Sequence, residues 1–460
     1  MIVQAAQRAR VAANSLGARV LTTPGHRAVF SSALLIGILT LLVKAVTLGR
    51  DMMVASHFGT SDANDAFLAG WVLPGFLVGI VSGGFVGAII PVQIDVRNKS
   101  GKSREEAVLG EVMLLSALSY LIITGFLLAT SKYLLPLVTQ GYSSSKYELA
   151  LQISMVMMPA ILIGGMAAIW SAMLNTKNRF GLVAISPMVV PAVTAVVLLA
   201  SPDAQIEWLA VGMVIGNGLQ AAVLFLGLHR EGMPVSFGWH GFLPETRSIL
   251  SQFGILAANG IIFNGLGVVD TAMAATLGSG SQSTLLYANK LIAPLLGISS
   301  IALGTAVFPY FSRLVADEDW DGLRHTLQTY TRLILAVAIP TTIGIILFAR
   351  PVVRLLFERG EFTPEDTENV SRVLATYSFL VPIETIAVMM SRVVISLRAG
   401  RIMVYASIGI FVFNIASDLI LKELIGIQGI ALATVLNQLI SLVFLIFLLQ
   451  HLKKTKMGPK

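Results

Sequence analysis

The 460-residue sequence contains no cysteine, so disulfides, thiol catalysis and thiolate metal sites are all excluded. Charge is scarce as well. Asp, Glu, Lys and Arg make up 12%, where soluble domains carry roughly 25%. Long hydrophilic segments are missing too, and the longest connections, about 20 residues, leave no room for an inserted soluble domain. What is present is apolar: 55% hydrophobic residues and a mean hydropathy of +0.80. Apolar stretches near 20 residues recur, the length that crosses a ~30 Å hydrocarbon core. The alternation in ~10-residue segments that marks an outer-membrane barrel is not seen. The composition specifies an all-α polytopic membrane protein.

Hydropathy predicts about twelve transmembrane helices, at 29–49, 66–92, 108–130, 149–174, 181–201, 207–228, 252–277, 284–311, 330–349, 370–396, 402–421 and 426–450. Residues 1–28, with Arg8, Arg10, Arg19 and Arg27 and no acid, read as a basic tail lying on anionic lipid. MIVQAAQRARVAANSLGARVL lacks the apolar core of a signal peptide. With the N-terminus inside, twenty basic residues fall on the cytoplasmic side and six on the other, so both termini are expected in the cytoplasm. The net charge of +7 comes from these tails and loops and carries no nucleic-acid signal.

The chain repeats itself at an offset of about 220 residues. NDAFLAGWVLPGFLVGIVSGGFVGAIIP (64–91) resembles STLLYANKLIAPLLGISSIALGTAVFP (283–309), and the turns at Gly141 and Gly360 match. This predicts two pseudo-symmetric six-helix lobes around a central cavity, 29–230 and 251–450, joined by a cytoplasmic linker 231–250 and followed by a basic tail 451–460. Parallel repeats of this kind handle substrate between the halves.

Charges inside the membrane are functional hypotheses by default, because each costs roughly 2.5–3.5 kcal/mol unless it faces a cavity or partner. The first helix carries Lys44, Arg50 and Asp51, with Lys44 and Asp51 on one face at i, i+7. Lys290 stands near the matching place in the second half. Basic groups on both halves suit an anionic headgroup such as a diphosphate. Snorkelling of Lys44 and helix-end capping by Arg50 are the structural alternatives. Asp65 reads either as an acid on the helix-2 dipole or as a gate pairing with Arg50 or Lys44. A second cluster is acidic: Asp270, then Asn414 and Asp418 at i, i+4, then Thr434. These oxygens suit Na⁺ or a proton. Glu384, between Pro382 and Thr385, is a further candidate. Thr363 and Asp366 read as a helix cap.

GRDMMVASHFGTSDANDAFLAGWVLP (49–74), YANKLIAPLLGISSIALGTAVFPYFSRL (287–314), LLFERGEFTPEDT and LNTKNRFGLVAISP together resemble the MurJ/MviN family of lipid-linked peptidoglycan-precursor flippases. The resemblance spans about residues 30–450. It implies the multidrug/oligosaccharidyl-lipid/polysaccharide exporter fold, with a central cationic cavity, alternating access and no enzymatic chemistry. It places Lys44, Arg50 and Lys290 at family arginines, Asp65 at a helix-2 aspartate and Ser283 at a cavity serine. Asp270, Asn414, Asp418 and Thr434 fall on the sodium-site pattern of some members. PGFLVG (74–79) lacks a family arginine, and Ala293 replaces a family glutamate. The two further helices of typical members are not expected.

The resulting expectation is a monomeric inner-membrane flippase for a polyprenyl-diphosphate-linked saccharide, using Na⁺, protons or the membrane potential and no other cofactor. An exopolysaccharide or O-antigen repeat-unit flippase fits the same residues. A cation-coupled multidrug antiporter fits less well, because Lys44, Arg50 and Lys290 repel cationic cargo. A membrane glycosyltransferase lacks the outward loop its acid/base residues need.

Overall fold

The computed structural model describes residues 24–200, 205–233, 235–303, 307–397 and 399–457. The basic segment before residue 24, Arg398 and the last three residues lie outside them.

The first helix, α1 (Pro24–Phe58), is built from Leu, Ile, Val and Ala and ends at Gly59, which adopts φ 51°. It runs nine residues beyond its predicted apolar end, so Arg50 and Asp51 sit inside it rather than at its terminus. The second element, α2 (Asp62–Leu134), starts with Ser61 accepting the Asn64 N–H. It breaks at Gly101 (φ 79°), a backbone conformation that glycine adopts readily. The chain folds back there. Phe85 and Tyr120 meet edge to face with centroids 6.2 Å apart, and Gln93 donates to Glu105 at 2.8 Å. Two predicted spans are therefore the arms of one helical hairpin.

The first half continues with α3 (Ser144–Met157) and α4 (Pro159–Thr176), which form one span, then α5 (Phe180–Ile185), α6 (Val189–Ala200) and α7 (Ile206–Arg230). The second half comprises α8 (Pro244–Ala275), α9 (Ser281–Ala302), α10 (Phe308–Ala316) and α11 (Trp320–Phe357). It closes with α12 (Pro364–Tyr377), α13 (Leu380–Ser396), α14 (Gly400–Ile425) and α15 (Ile427–Met457). At the start of α12, Thr363 and Asp366 form the expected reciprocal capping box. Among the described residues, eight helical segments are long and apolar enough to cross a membrane by length and composition. The Gly101 hairpin adds one crossing, and α1, α9 and α14 supply the rest of the predicted twelve. Ile122, Leu347, Leu355 and Phe447 are at least 66% exposed. Large apolar side chains presented this way require lipid rather than water around the bundle.

The two halves touch at both ends. At one end, hereafter the turn end, a Cβ on Gly360 would fall 2.1 Å from the Ser56 carbonyl oxygen, and one on Gly141 3.2 Å from that of Ala275. A shift of 219 residues relates the two glycines, and the same shift relates Ser56 to Ala275, so the internal repeat is realised as paired contacts. Both glycines have positive φ, 87° at Gly141 and 57° at Gly360. At the other end α8 lies along α2: Phe253 stacks on Phe85 at 4.1 Å and covers Gly84. Residues 65 and 85 of α2 are separated by ~30 Å of helix. Glu111 pins the linker by accepting the N–H groups of His240, Phe242 and Leu243 at 3.2, 2.7 and 2.8 Å.

Candidate substrate cleft and cation cluster

The central charges form one connected set. Asp51, 2% exposed, lies 2.8 Å from Lys290 Nζ and 3.3 Å from Arg50 Nε. Successive residues on a helix diverge by 100°, so Arg50 reaches Asp51 only by wrapping its long side chain around α1. Lys290 comes from α9 in the other half and also stands 5.4 Å above the Tyr287 ring. Two cations thus share one carboxylate, leaving the set one positive charge in excess. Arg50 Nε has no hydrogen-bond acceptor in good geometry. Lys44 stands apart: it is exposed and, among the described residues, makes no hydrogen bond or ion pair.

Asp65 does not pair with Arg50 or Lys44, contrary to one sequence expectation. Its carboxylate crosses to the start of α9, where Oδ2 accepts from Gly280 N at 2.8 Å and Oδ1 from Ser283 N at 2.9 Å. Ser283 Oγ donates to Oδ1 at 2.7 Å, and Lys146 Nζ contacts Oδ2 at 2.9 Å. The reason is local. The N-cap of α9 is Gly280, with φ 78° and no side chain to cap the helix. Asp65 supplies that cap from the other half. Ser283 is consequently fully buried, turned onto Asp65 rather than into the cleft. Lys146 also contacts Asp62 at 2.6 Å, and the Tyr142 hydroxyl reaches Gln282 Oε1 and the Asp65 carbonyl oxygen. Burial, then the neighbouring Asp65 and Asp62 carboxylates, push the Tyr142 phenol up, so it stays a neutral donor. Asn64 Nδ2 donates to the Gly59 carbonyl oxygen at 3.0 Å and to Tyr287 Oη at 3.2 Å.

Sequence reasoning missed Lys146, Tyr142, Gln282 and Tyr287. Lys146, in the first turn of α3, is 8% exposed.

The acidic residues do come together. Asp270 of α8 faces Asp418 and Asn414 of α14 and Thr434 of α15, and Thr434 Oγ1 lies 3.4 Å from Asp270 Oδ2. Asp418 is fully buried and Asn414 1% exposed. Asp270 Oδ1, Asn414 Oδ1 and both Asp418 oxygens lack any donor. Buried oxygens are ordinarily satisfied, and two facing carboxylates demand a cation or a shared proton. Carboxylate, amide and hydroxyl oxygens without a nitrogen or sulfur ligand fit a hard cation.

A family description, "Lipid II flippase MurJ", matches residues 54–459. The chain belongs to the MurJ lipid II flippase family. A relative from Vibrio cholerae serotype O1, described as "Probable lipid II flippase MurJ", is 27% identical over 433 residues, covering 90% of this chain and 81% of the relative. Among solved structures, "Lipid II flippase MurJ, inward closed conformation" superposes with a TM-score of 0.79 at 23% identity, over 91% of this chain and 87% of that one. A multidrug resistance MATE family transporter of the MOP superfamily, inward-facing, gives 0.71 at 14% identity, over 92% of this chain and 99% of that one. These structures carry the two-lobed fold. In this MurJ-family chain that fold brings α1 and α9 together at Asp51, and α2 onto α9 at Asp65.

Proposed function

We propose that this chain moves a lipid-linked saccharide of the lipid II type across the cytoplasmic membrane by alternating access. The observation that carries the reading is Asp51, shared by Lys290 of one half and Arg50 of the other. A diphosphate entering between the halves competes with Asp51 for the same two cations. It brings more charge than a carboxylate, so the exchange favours substrate while it is present and restores the internal pair when it leaves. The reading also supports membrane embedding with both termini cytoplasmic, which makes the turn end the outer end. There Asp65 and the paired glycine contacts hold the outer side shut.

Lys290 forms a point-charge contact rather than a bidentate fork. That favours a tolerant headgroup site, and an exopolysaccharide repeat unit on the same polyprenyl diphosphate remains the second reading. Asp270, Asp418, Asn414 and Thr434 would hold Na⁺ or a proton and bias the cycle through differential affinity for its states. The deciding experiment is depletion of the protein followed by identification of the lipid-linked glycan that accumulates in the inner leaflet. Accumulation of lipid II supports the first reading. A different polyprenyl-diphosphate glycan overturns it in favour of the second, and no accumulation overturns both.

A further inference from the structure

Near the cation cluster lies a cavity of about 350 Å³, bordered by α8, α13, α14 and α15. Leu266, Ile410 and Asn437 line it. They stand within one helical turn of Asp270, Asn414 and Thr434 respectively, so the cavity floor is ~6 Å along the helix axes from the cluster. Its polar lining centres on Glu384 of α13, joined by Ser407, Ser441 and Asn437. Asn437 is 5% exposed, and its Oδ1 has no donor. Glu384 forms no hydrogen bond or ion pair among the described residues. A carboxylate at membrane depth without a cationic side chain beside it is tolerated where it borders a cavity. From the level of Leu266, Ile410 and Asn437 the cavity extends toward Ser391 and Met403, which flank the α13–α14 turn, away from the Gly59 and Gly360 closure.

We propose that this cavity is the vestibule through which cations exchange between the Asp270/Asp418 cluster and the side of the α13–α14 turn. Glu384 attracts the cation, and the Asn437 carbonyl passes it to Thr434 and Asp270. The inference rests on the cluster being a cation site. With the turn end closed by Asp65 and the glycine contacts, this is the side from which the cluster exchanges in this conformation.

The cysteine-free chain makes the test direct. Ser441→Cys in membrane vesicles is treated with a cationic trimethylammonium or an anionic sulfonate methanethiosulfonate of similar size. The cationic reagent is expected to react faster by about tenfold, the effect of one carboxylate at short range. Glu384→Gln in the Ser441→Cys background is expected to abolish that preference, and Na⁺ to slow the cationic reagent only while Glu384 is present. In parallel, Na⁺ is expected to raise the thermal stability of purified full-length chain, in Glu384→Gln as in the parent but not in Asp418→Asn. Equal rates for both reagents, or a preference that survives Glu384→Gln, overturn the vestibule and leave the cluster standing. A parent chain indifferent to Na⁺, K⁺ and Li⁺ overturns the cluster as an alkali-cation site and, with it, the destination of the vestibule.

Discussion

Ser283 gives both its backbone N–H and its hydroxyl to a single oxygen of Asp65, at 2.9 and 2.7 Å, across the boundary between the two halves. The helix that Asp65 caps also carries Lys290, two turns further on, so closing the turn end and placing the Lys290 ammonium beside Asp51 are one rigid-body event. Removing the cap should therefore change the conformational equilibrium before it changes substrate affinity. In Asp65→Asn the carbonyl oxygen can still accept both Ser283 hydrogen bonds, but the acceptor for Gly280 N–H and the charge toward Lys146 are lost. Charge-assisted hydrogen bonds of this kind are worth about 1.5–3 kcal/mol, and the closed state should lose about tenfold or more in population. A Ser56→Cys/Glu361→Cys pair reads this directly, because the Glu361 N–H donates to the Ser56 carbonyl oxygen at 2.9 Å. Cross-linking should be efficient in the parent and several-fold slower with Asp65→Asn. Equal rates would sink the gate role.

Lys290 and Arg50 should be indispensable in a way that Lys44 is not. Lys290→Ala and Arg50→Ala each remove one of the two cations on Asp51, and both should abolish complementation at unchanged protein level. Lys44 is exposed and has no partner among the described residues, so Lys44→Ala should retain most activity. Growth of a depletion strain carrying each variant, with immunoblotting for abundance, separates these outcomes. Normal growth with Lys290→Ala would remove the headgroup role.

The two turn glycines occupy equivalent places in the repeat but should tolerate alanine differently. At Gly360 a Cβ would meet the Ser56 carbonyl oxygen at 2.1 Å, whereas at Gly141 the nearest atom is 3.2 Å away. Both substitutions incur the left-handed backbone penalty of about 1–2 kcal/mol. Only Gly360→Ala adds a backbone clash that no side-chain movement relieves. Gly360→Ala should hold the turn end open, read as loss of the Ser56→Cys/Glu361→Cys cross-link, while Gly141→Ala should retain it. Equal behaviour would mean that the closure is softer than its packing indicates.

Charge in hydrophobic context singled out Asp51 and Lys290, which the structure brings together, and Lys44, which it leaves exposed. Lys290 and Asp51 stood out because each interrupts an apolar run, and the 220-residue offset placed them on opposite halves. The Asp270, Asn414, Asp418 and Thr434 set was legible for the same reason. Lys146 was not, because its partner Asp65 is 81 residues away and its own surroundings, SSSKYE, look like any solvated turn. Nor was the role of Asp65, since the feature that demands it is an uncapped helix start in the other half, visible only once Gly280 is seen at positive φ. Periodicity also left the length of α1 open: the turn from Arg50 to Phe58 is helical because it packs Val54 and Ala55 against neighbours, a tertiary effect.

The cation cluster makes the last prediction, and it concerns stability rather than transport. Two carboxylates sit together with four oxygen atoms lacking donors, so a bound cation should stabilise the fold by mass action. At a concentration 100 times its dissociation constant that amounts to about 2.7 kcal/mol. Na⁺ should raise the melting temperature of the purified chain relative to choline at equal ionic strength. Asp418→Asn should lose the response while becoming more stable in choline, because it relieves the repulsion between Asp270 and Asp418 that the cation otherwise neutralises. Thr434→Val should weaken the response without relieving that repulsion. A melting temperature that ignores Na⁺ in the parent, with Asp418→Asn equally stable in choline, would mean that the pair is already neutralised by a shared proton.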